Sequence, residues 1–207
     1  MVQITLPPPV NPPQPILYVL PAGSKLIRLF DPTKFGATAL SFRHFGPVSR
    51  FDHHRAPFPT TAHDADRGII YAAQTLSGCL VEIFGDAKIV ETSNVEVASL
   101  AVSRDLNLLD LRGTGAMNAG TVSAVCKDSN RQFSQAWSRF FYENTFVYGH
   151  LDGIIFGNAH NDENAFAFYE RCAAAFSATA VCPLKDDALR VEILKTAQDN
   201  NMIVEPY

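Results

Sequence analysis

The apolar positions of the chain fall into short blocks separated by turn signals, and the period inside each block assigns it to strand or helix. Residues 16–30 carry apolar runs on either side of Pro21-Ala22-Gly23, which predicts two extended pieces and puts Arg28 on the second. From Asp31 to Arg67 no period is sustained, and Pro, His and small residues accumulate. This stretch is expected to be a long loop with short strand pieces, and loops of that length in a compact domain tend to carry function.

Gly68-Ile69-Ile70-Tyr71-Ala72-Ala73 reads as a buried strand, followed by a helix that Thr75 can cap and whose apolar face is Leu76, Cys79, Leu80 and Ile83. Glu82 lies about 110° of helical rotation away from that face, so it can point into a cleft rather than the core. Residues 95–102 and 106–111 predict two more strands, and residues 113–120 a loop. Ser129 can cap a further helix in which Phe133, Ala136, Trp137, Phe140 and Phe141 follow the i, i+3, i+4, i+7, i+8 spacing of one face. Gly153-Ile154-Ile155-Phe156 predicts a strand, and so does the alternation Ala165-Phe166-Ala167-Phe168-Tyr169, despite its good helix formers. A last helix is expected from about Asp187 to Asp199. Strands and helices mixed in this way predict an α+β domain.

Composition bounds this picture. At 207 residues, 47% hydrophobic and 18% charged, the chain has material for one well-buried core. Six of the thirteen prolines lie in the first fifteen residues, so 1–15 should be an extended, polyproline-like arm and 16–207 a single domain. The arm is expected to lie over its own domain. A net charge of −4, with the basic residues in no dense run, opposes direct binding to nucleic acid or anionic lipid. No basic leader, long apolar run or C-x-x-C pair occurs, so the expectation is a protein of a reducing, cytoplasmic setting without membrane insertion.

The common nucleotide-binding fingerprints G-x-G-x-x-G at a strand-to-helix turn and G-x-x-x-x-G-K-[ST] are missing, as are G-x-S-x-G and H-E-x-x-H. His44, His53, His54 and His63 cluster in the long loop, but their spacing matches no standard ligand pattern and no Cys joins them, so no metal site is expected.

What stands out is a series in order: Leu26-Ile27-Arg28-Leu29-Phe30-Asp31-Pro32, Ser49-Arg50-Phe51-Asp52, Gly68-Ile69-Ile70-Tyr71-Ala72-Ala73, and Leu80-Val81-Glu82-Ile83. This order and spacing resembles the RES-domain family, toxins of bacterial toxin–antitoxin pairs named for their Arg, Glu and Ser. The resemblance spans roughly Lys25 to Arg171. It implies an ADP-ribosyltransferase-like fold, a split and mainly antiparallel sheet with flanking helices around a cleft. It also implies degradation of NAD as substrate, with no cofactor and with phosphate or water as acceptor, and a helix-turn-helix (Xre-type) antitoxin as partner. Arg28 and Arg50 match the family arginines, Tyr71 the strand tyrosine and Glu82 the glutamate. Asn158, after Gly153-Ile154-Ile155-Phe156-Gly157, stands where the family has its serine.

The resemblance assigns these residues chemistry that suits them. Cleaving the nicotinamide–ribose bond passes through an oxocarbenium-like state that a carboxylate such as Glu82 can stabilise, with Arg28 as its catalytic companion. Arg28 and Arg50 offer planar forks of donors to phosphate oxygens, Tyr71 a ring for the nicotinamide, and Asn158 an amide donor for substrate. Two alternatives stay open: transfer of ADP-ribose to a protein, and a degenerate, non-catalytic relative that only binds NAD or a partner. A plainer reading makes Arg28 and Glu82 a structural ion pair.

Overall fold

The computed structural model describes residues 2–206. In chain order its strands and helices begin with β1 (Leu17–Leu20), β2 (Lys25–Phe30), β3 (Phe45–Gly46), β4 (Ala62–His63), β5 (Ile69–Ala73) and α1 (Leu76–Phe84). There follow β6 (Ile89–Val90), β7 (Glu96–Val102), β8 (Leu106–Asp110), α2 (Gly115–Asn118), α3 (Arg131–Glu143) and α4 (Thr145–Tyr148). The last are β9 (Gly153–Gly157), β10 (Asn164–Tyr169), β11 (Phe176–Pro183), α5 (Arg190–Asp199) and β12 (Ile203–Val204).

Among the described residues the main sheet has eight strands in the order β1-β8-β9-β10-β5-β2-β7-β11. All neighbours are antiparallel except β8 and β9. Most junctions run over several residues, but β2 and β5 are registered through the single pair Ile27–Ala73, so the sheet divides there. At the division the Cys79 thiol of α1 donates to the Ile27 carbonyl at 3.0 Å. Burial pushes that thiol up to about 12, so it stays protonated and able to donate. Gly78 lets α1 come this close: a Cβ there would meet the Ala73 side chain at 3.1 Å and the Thr75 hydroxyl at 3.2 Å.

β10 shows why the centre of the sheet is rigid. Ala165, Ala167 and Tyr169 face one apolar cluster with Phe51, Trp137 and Phe141, while Phe166 and Phe168 face another with Leu26, Ile70 and Leu100. The alternation predicted the strand, and both of its faces are buried. A third cluster packs α1 and α5 against β7, with Leu80, Val81, Phe84, Ile193 and Val97.

The elements expected from the pattern are present with instructive shifts. Thr75 caps α1, accepting from Gly78 N at 2.9 Å. The buried face of α1 differs, because packing beside α5 buries Val81 and Phe84 and leaves Ile83 52% exposed. Residues 115–118 form a helical turn where a loop was expected, and Asn130 rather than Ser129 caps α3. The last helix begins at Arg190, after a short 3-10 turn at Asp187–Leu189. β11 had no counterpart in the pattern.

The proline-rich arm lies along the domain. Ile4 is buried in the cluster of Trp137, the indole Nε1 donates to Thr5 O at 2.7 Å, and Gln14 N donates to Asn118 O at 2.8 Å. No helix among the described residues is long and apolar enough to cross a membrane.

Candidate functional site

Arg50 sits in a tight turn, Ser49–Asp52, closed by Asp52 N donating to Ser49 O at 3.3 Å. The turn is largely removed from water, so its carbonyls need donors from the protein. Helix α3 supplies them: Arg131 donates to Val48 O at 2.7 Å, Gln135 to Ser49 O at 3.1 Å and Ser138 to Phe51 O at 2.6 Å. This explains why the buried stripe of α3 is Ser134, Trp137, Ser138 and Phe141 with Gln135, displaced from the all-apolar face that the spacing predicted. Phe51 then anchors the turn in the core, its ring 4.7 Å from that of Phe156.

From this turn Arg50 reaches the Asp128 carbonyl through Nη1, while its Nε is buried without a partner. Its charge acts on Glu82 of α1 and on Cys126. Glu82 has a buried Oε2 with no hydrogen-bond partner. Burial pushes its carboxyl above the ordinary carboxylate value; Arg50 opposes that shift and Asp86 adds to it. Glu82 and Ile83 line a cleft at the divided part of the sheet with Tyr71, Cys79, Phe156 and Ala165. A buried acceptor left unused on a cleft wall, within the field of a buried arginine, is what a site built for a polar ligand presents.

Tyr71 borders the cleft from β5. Its hydroxyl donates to Asp52 Oδ1 at 2.8 Å and accepts from Phe51 N at 3.1 Å, and burial raises it well above the ordinary phenol value. Asp52 is fully buried. Burial works to raise its carboxyl, but the charge and hydrogen bond of Arg43 and the amides of Val48 and Ser49 hold it below the usual value.

Arg28 stands apart from this group. It leaves β2 on the side of Leu26 and Phe30, lies 5.8 Å from the Phe30 ring centre, and donates to Ser41 O at 2.8 Å. Burial, then the charge of Arg43, bring its guanidinium down to about 10. Among the described residues it pairs with no carboxylate, so the plain ion pair with Glu82 is not formed. It lines a second concavity with Lys34, Arg43, His44, Phe45 and His63.

The family model for the RES domain matches residues 25–192. The chain belongs to the RES domain family. Among solved structures, a chain of the M. tuberculosis MbcT–MbcA toxin–antitoxin complex superposes on this RES domain with a TM-score of 0.53 at 16% identity, covering 84% of this chain and 90% of that one. The fold is thus the ADP-ribosyltransferase-like α+β arrangement expected from the sequence. No curated protein matches the chain.

In this RES domain Asn158, which the sequence pattern aligns with the family serine, is fully buried and its amide is spent locally. Oδ1 accepts from the amides of His160 and Asn161 at 3.0 Å each, and Nδ2 donates to Asn161 Oδ1 at 2.7 Å. Asn161 passes the chain of bonds to Glu163 (2.7 Å), which accepts from the hydroxyls of Thr75 and Ser77 at 2.6 Å each. Asn158 is therefore tied to the start of the helix that carries Glu82 rather than directed into the cleft.

The structure thus brings Arg50, Tyr71 and Glu82 together and places Arg28 and Asn158 outside their immediate contact. Sequence reasoning passed over Asp52, Arg43 and Glu163. Asp52 adjoins Arg50 in the quoted Ser49-Arg50-Phe51-Asp52 segment, a signal that was available; Arg43 and Glu163 have no periodic or motif signature. The loop histidines are dispersed: His53 and His54 are buried, and His44 stacks on His63 with ring centres 6.0 Å apart. Among the described residues no group of three or more His, Cys, Asp or Glu side chains is arranged to hold a metal ion.

Proposed function

We propose that this RES domain cleaves the bond between ribose and nicotinamide in NAD, with phosphate or water as acceptor, and acts as the toxin of a toxin–antitoxin pair. The observation that carries the reading is Glu82 on the wall of the cleft, its Oε2 buried without a partner and within the field of Arg50, whose Nε is likewise buried and unpartnered. Tyr71 and Phe156 would serve as aromatic walls for the nicotinamide ring.

In the proposed step the C1′–nitrogen bond breaks with its electron pair going to nicotinamide, which leaves neutral. Positive charge develops on the ribose ring, where the Glu82 carboxylate stabilises it electrostatically. Attack at C1′ by phosphate gives ADP-ribose 1-phosphate, and attack by water gives ADP-ribose with release of a proton. Arg50 supplies a fixed donor for a phosphate oxygen of the substrate or of the acceptor. The toxin assignment and a helix-turn-helix antitoxin partner rest on family membership and on the likeness to a toxin–antitoxin structure.

Incubation of the purified chain with NAD, with and without phosphate, tests this. Nicotinamide release that Glu82→Ala abolishes supports it, and the second product identifies the acceptor. Intact NAD under both conditions ends the catalytic reading. Label from the ADP-ribose moiety appearing on protein would instead assign a transferase.

A further inference from the structure

We propose that Asp52 is the positioning residue of this site, holding Arg50 in place and taking the Tyr71 hydroxyl away from the ligand. The inference rests on the NAD reading above for its kinetic readout, but its geometry stands independently.

The Asp52 carboxylate accepts four hydrogen bonds. Oδ1 accepts from Tyr71 Oη and Arg43 Nη2 at 2.8 Å each; Oδ2 accepts from Val48 N at 2.5 Å and Ser49 N at 2.9 Å and is ion-paired with Arg43 Nη1 at 2.8 Å. A carboxylate has about four lone-pair sites, so nothing is left for a substrate, a proton transfer or a metal. Two of the donors are the backbone amides that shape the turn bearing Arg50. Arg43 is itself fixed by Phe45 O at 2.6 Å and Ser49 Oγ at 3.1 Å, so the anchor extends to the next loop segment. Asp52 therefore folds the segment between Val48 and itself around one buried charge, with Arg50 at the apex.

The same contact decides what Tyr71 offers. Its hydroxyl gives its one proton to Asp52 and accepts from Phe51 N. The part of Tyr71 available to the cleft is its ring, so Tyr71 shapes the cleft wall and also fastens the Arg50 turn to β5. A merely structural carboxylate would lower stability when altered, but its effect on NAD would not depend on whether Arg50 is present. A positioning carboxylate acts through Arg50, and its effect vanishes when Arg50 is removed.

The experiment is a pair of thermodynamic cycles on the full chain, crossing Tyr71→Phe and Asp52→Asn with Arg50→Ala. Tyr71→Phe should raise KM for NAD about fivefold and Asp52→Asn about fiftyfold, with smaller changes in kcat, and neither should cost more than about twofold in the Arg50→Ala background. Losses that multiply across the cycle overturn the proposal. If Asp52→Asn does not fold, the Tyr71→Phe cycle decides alone. A ligand-free readout separates this proposal from the NAD reading: the Arg50 Nε–H resonance in nitrogen-15-labelled protein should exchange slowly in the parent and faster by about tenfold or more in either variant. Should the parent release no nicotinamide, the NAD reading fails and Asp52 is judged on that resonance, whose insensitivity to both substitutions would overturn it.

Discussion

Glu82, on the cleft wall, feels the charge of Arg50 without a hydrogen bond between them, and each keeps one buried polar atom unused. A surface ion pair would have closed this gap. Here the Arg50 guanidinium is drawn to the Asp128 carbonyl, and α1 holds Glu82 against the cleft wall.

The pH dependence of NAD cleavage should report this arrangement. Burial raises the Glu82 carboxyl above its ordinary 4.5 and Arg50 pulls it back. An ionised Glu82 is required, so kcat/KM should fall as pH drops through a value above the ordinary one. Arg50→Ala removes the opposing charge and should move that acid limb to still higher pH, besides lowering the plateau about tenfold or more. Profiles of kcat/KM measured from about pH 4 to about pH 9 check this; a limb that stays put in the variant contradicts the coupling.

Asn158 should act on the turn and on α1. Asn158→Ala strips the acceptor from the amides of His160 and Asn161 and should cost about 2–4 kcal/mol of stability. Asn158→Asp keeps the acceptor but sets a buried carboxylate oxygen against Asn161 Oδ1, so its cost of about 1–3 kcal/mol should shrink at acid pH, where the carboxyl is protonated, whereas that of Asn158→Ala should not. Urea denaturation followed by circular dichroism separates the two.

Acid should unfold the protein in two stages. His53 is fully buried, and burial lowers its imidazole despite Glu170 at 3.0 Å, so it stays neutral and donates Nε2–H to the carboxylate. A folded value below the unfolded one means that stability is present above the ordinary imidazole value of 6.5 and declines as pH falls below it. Burial opposes ionisation of Glu170, but its bonds from His53 and Tyr142 prevail and hold it to about 2. Its contribution is therefore present above 4.5 and is lost between there and about 2. Urea midpoints measured against pH should show both declines; Glu170→Gln should make the lower one shallower.

Deleting residues 2–15 should expose the core beneath the arm. The cut removes the buried Ile4 side chain and the Thr5 carbonyl that accepts from Trp137. The cost should be about 2–4 kcal/mol. Trp137 is the only tryptophan, so its fluorescence should shift to the red in the truncated chain and reads the change directly. An unmoved emission maximum and an unchanged urea midpoint would show the arm to be dispensable.

Where the physics is local, the sequence was legible. The strand at Ile69–Ala73, the cap at Thr75 and the helix bearing Glu82 follow from period and short-range hydrogen bonding, and they stand where expected. β10 followed from its alternation despite contrary helix propensity, because both of its faces meet apolar clusters. α3 was readable as a helix but not in its orientation: Gln135 and Ser138 turn inward to serve carbonyls of a loop distant in sequence, a demand that no periodicity encodes. β11 escaped notice because its side chains are mostly exposed and its existence depends on pairing with β7.

By itself the sequence determined most of the strands and helices, the cap at Thr75, the family and the order of Arg28, Arg50, Tyr71 and Glu82. Only the tertiary structure decided which of these meet. The division of the sheet at Ile27–Ala73 opens the cleft, the Asp52 anchor sets Arg50 against Glu82, and the pleat of β2 carries Arg28 to the side of Phe30. The physical reason is one of range. Helical and strand periods are set by neighbours a few residues away, whereas strand pairing and the satisfaction of buried polar groups are settled between segments that only the folded chain brings together.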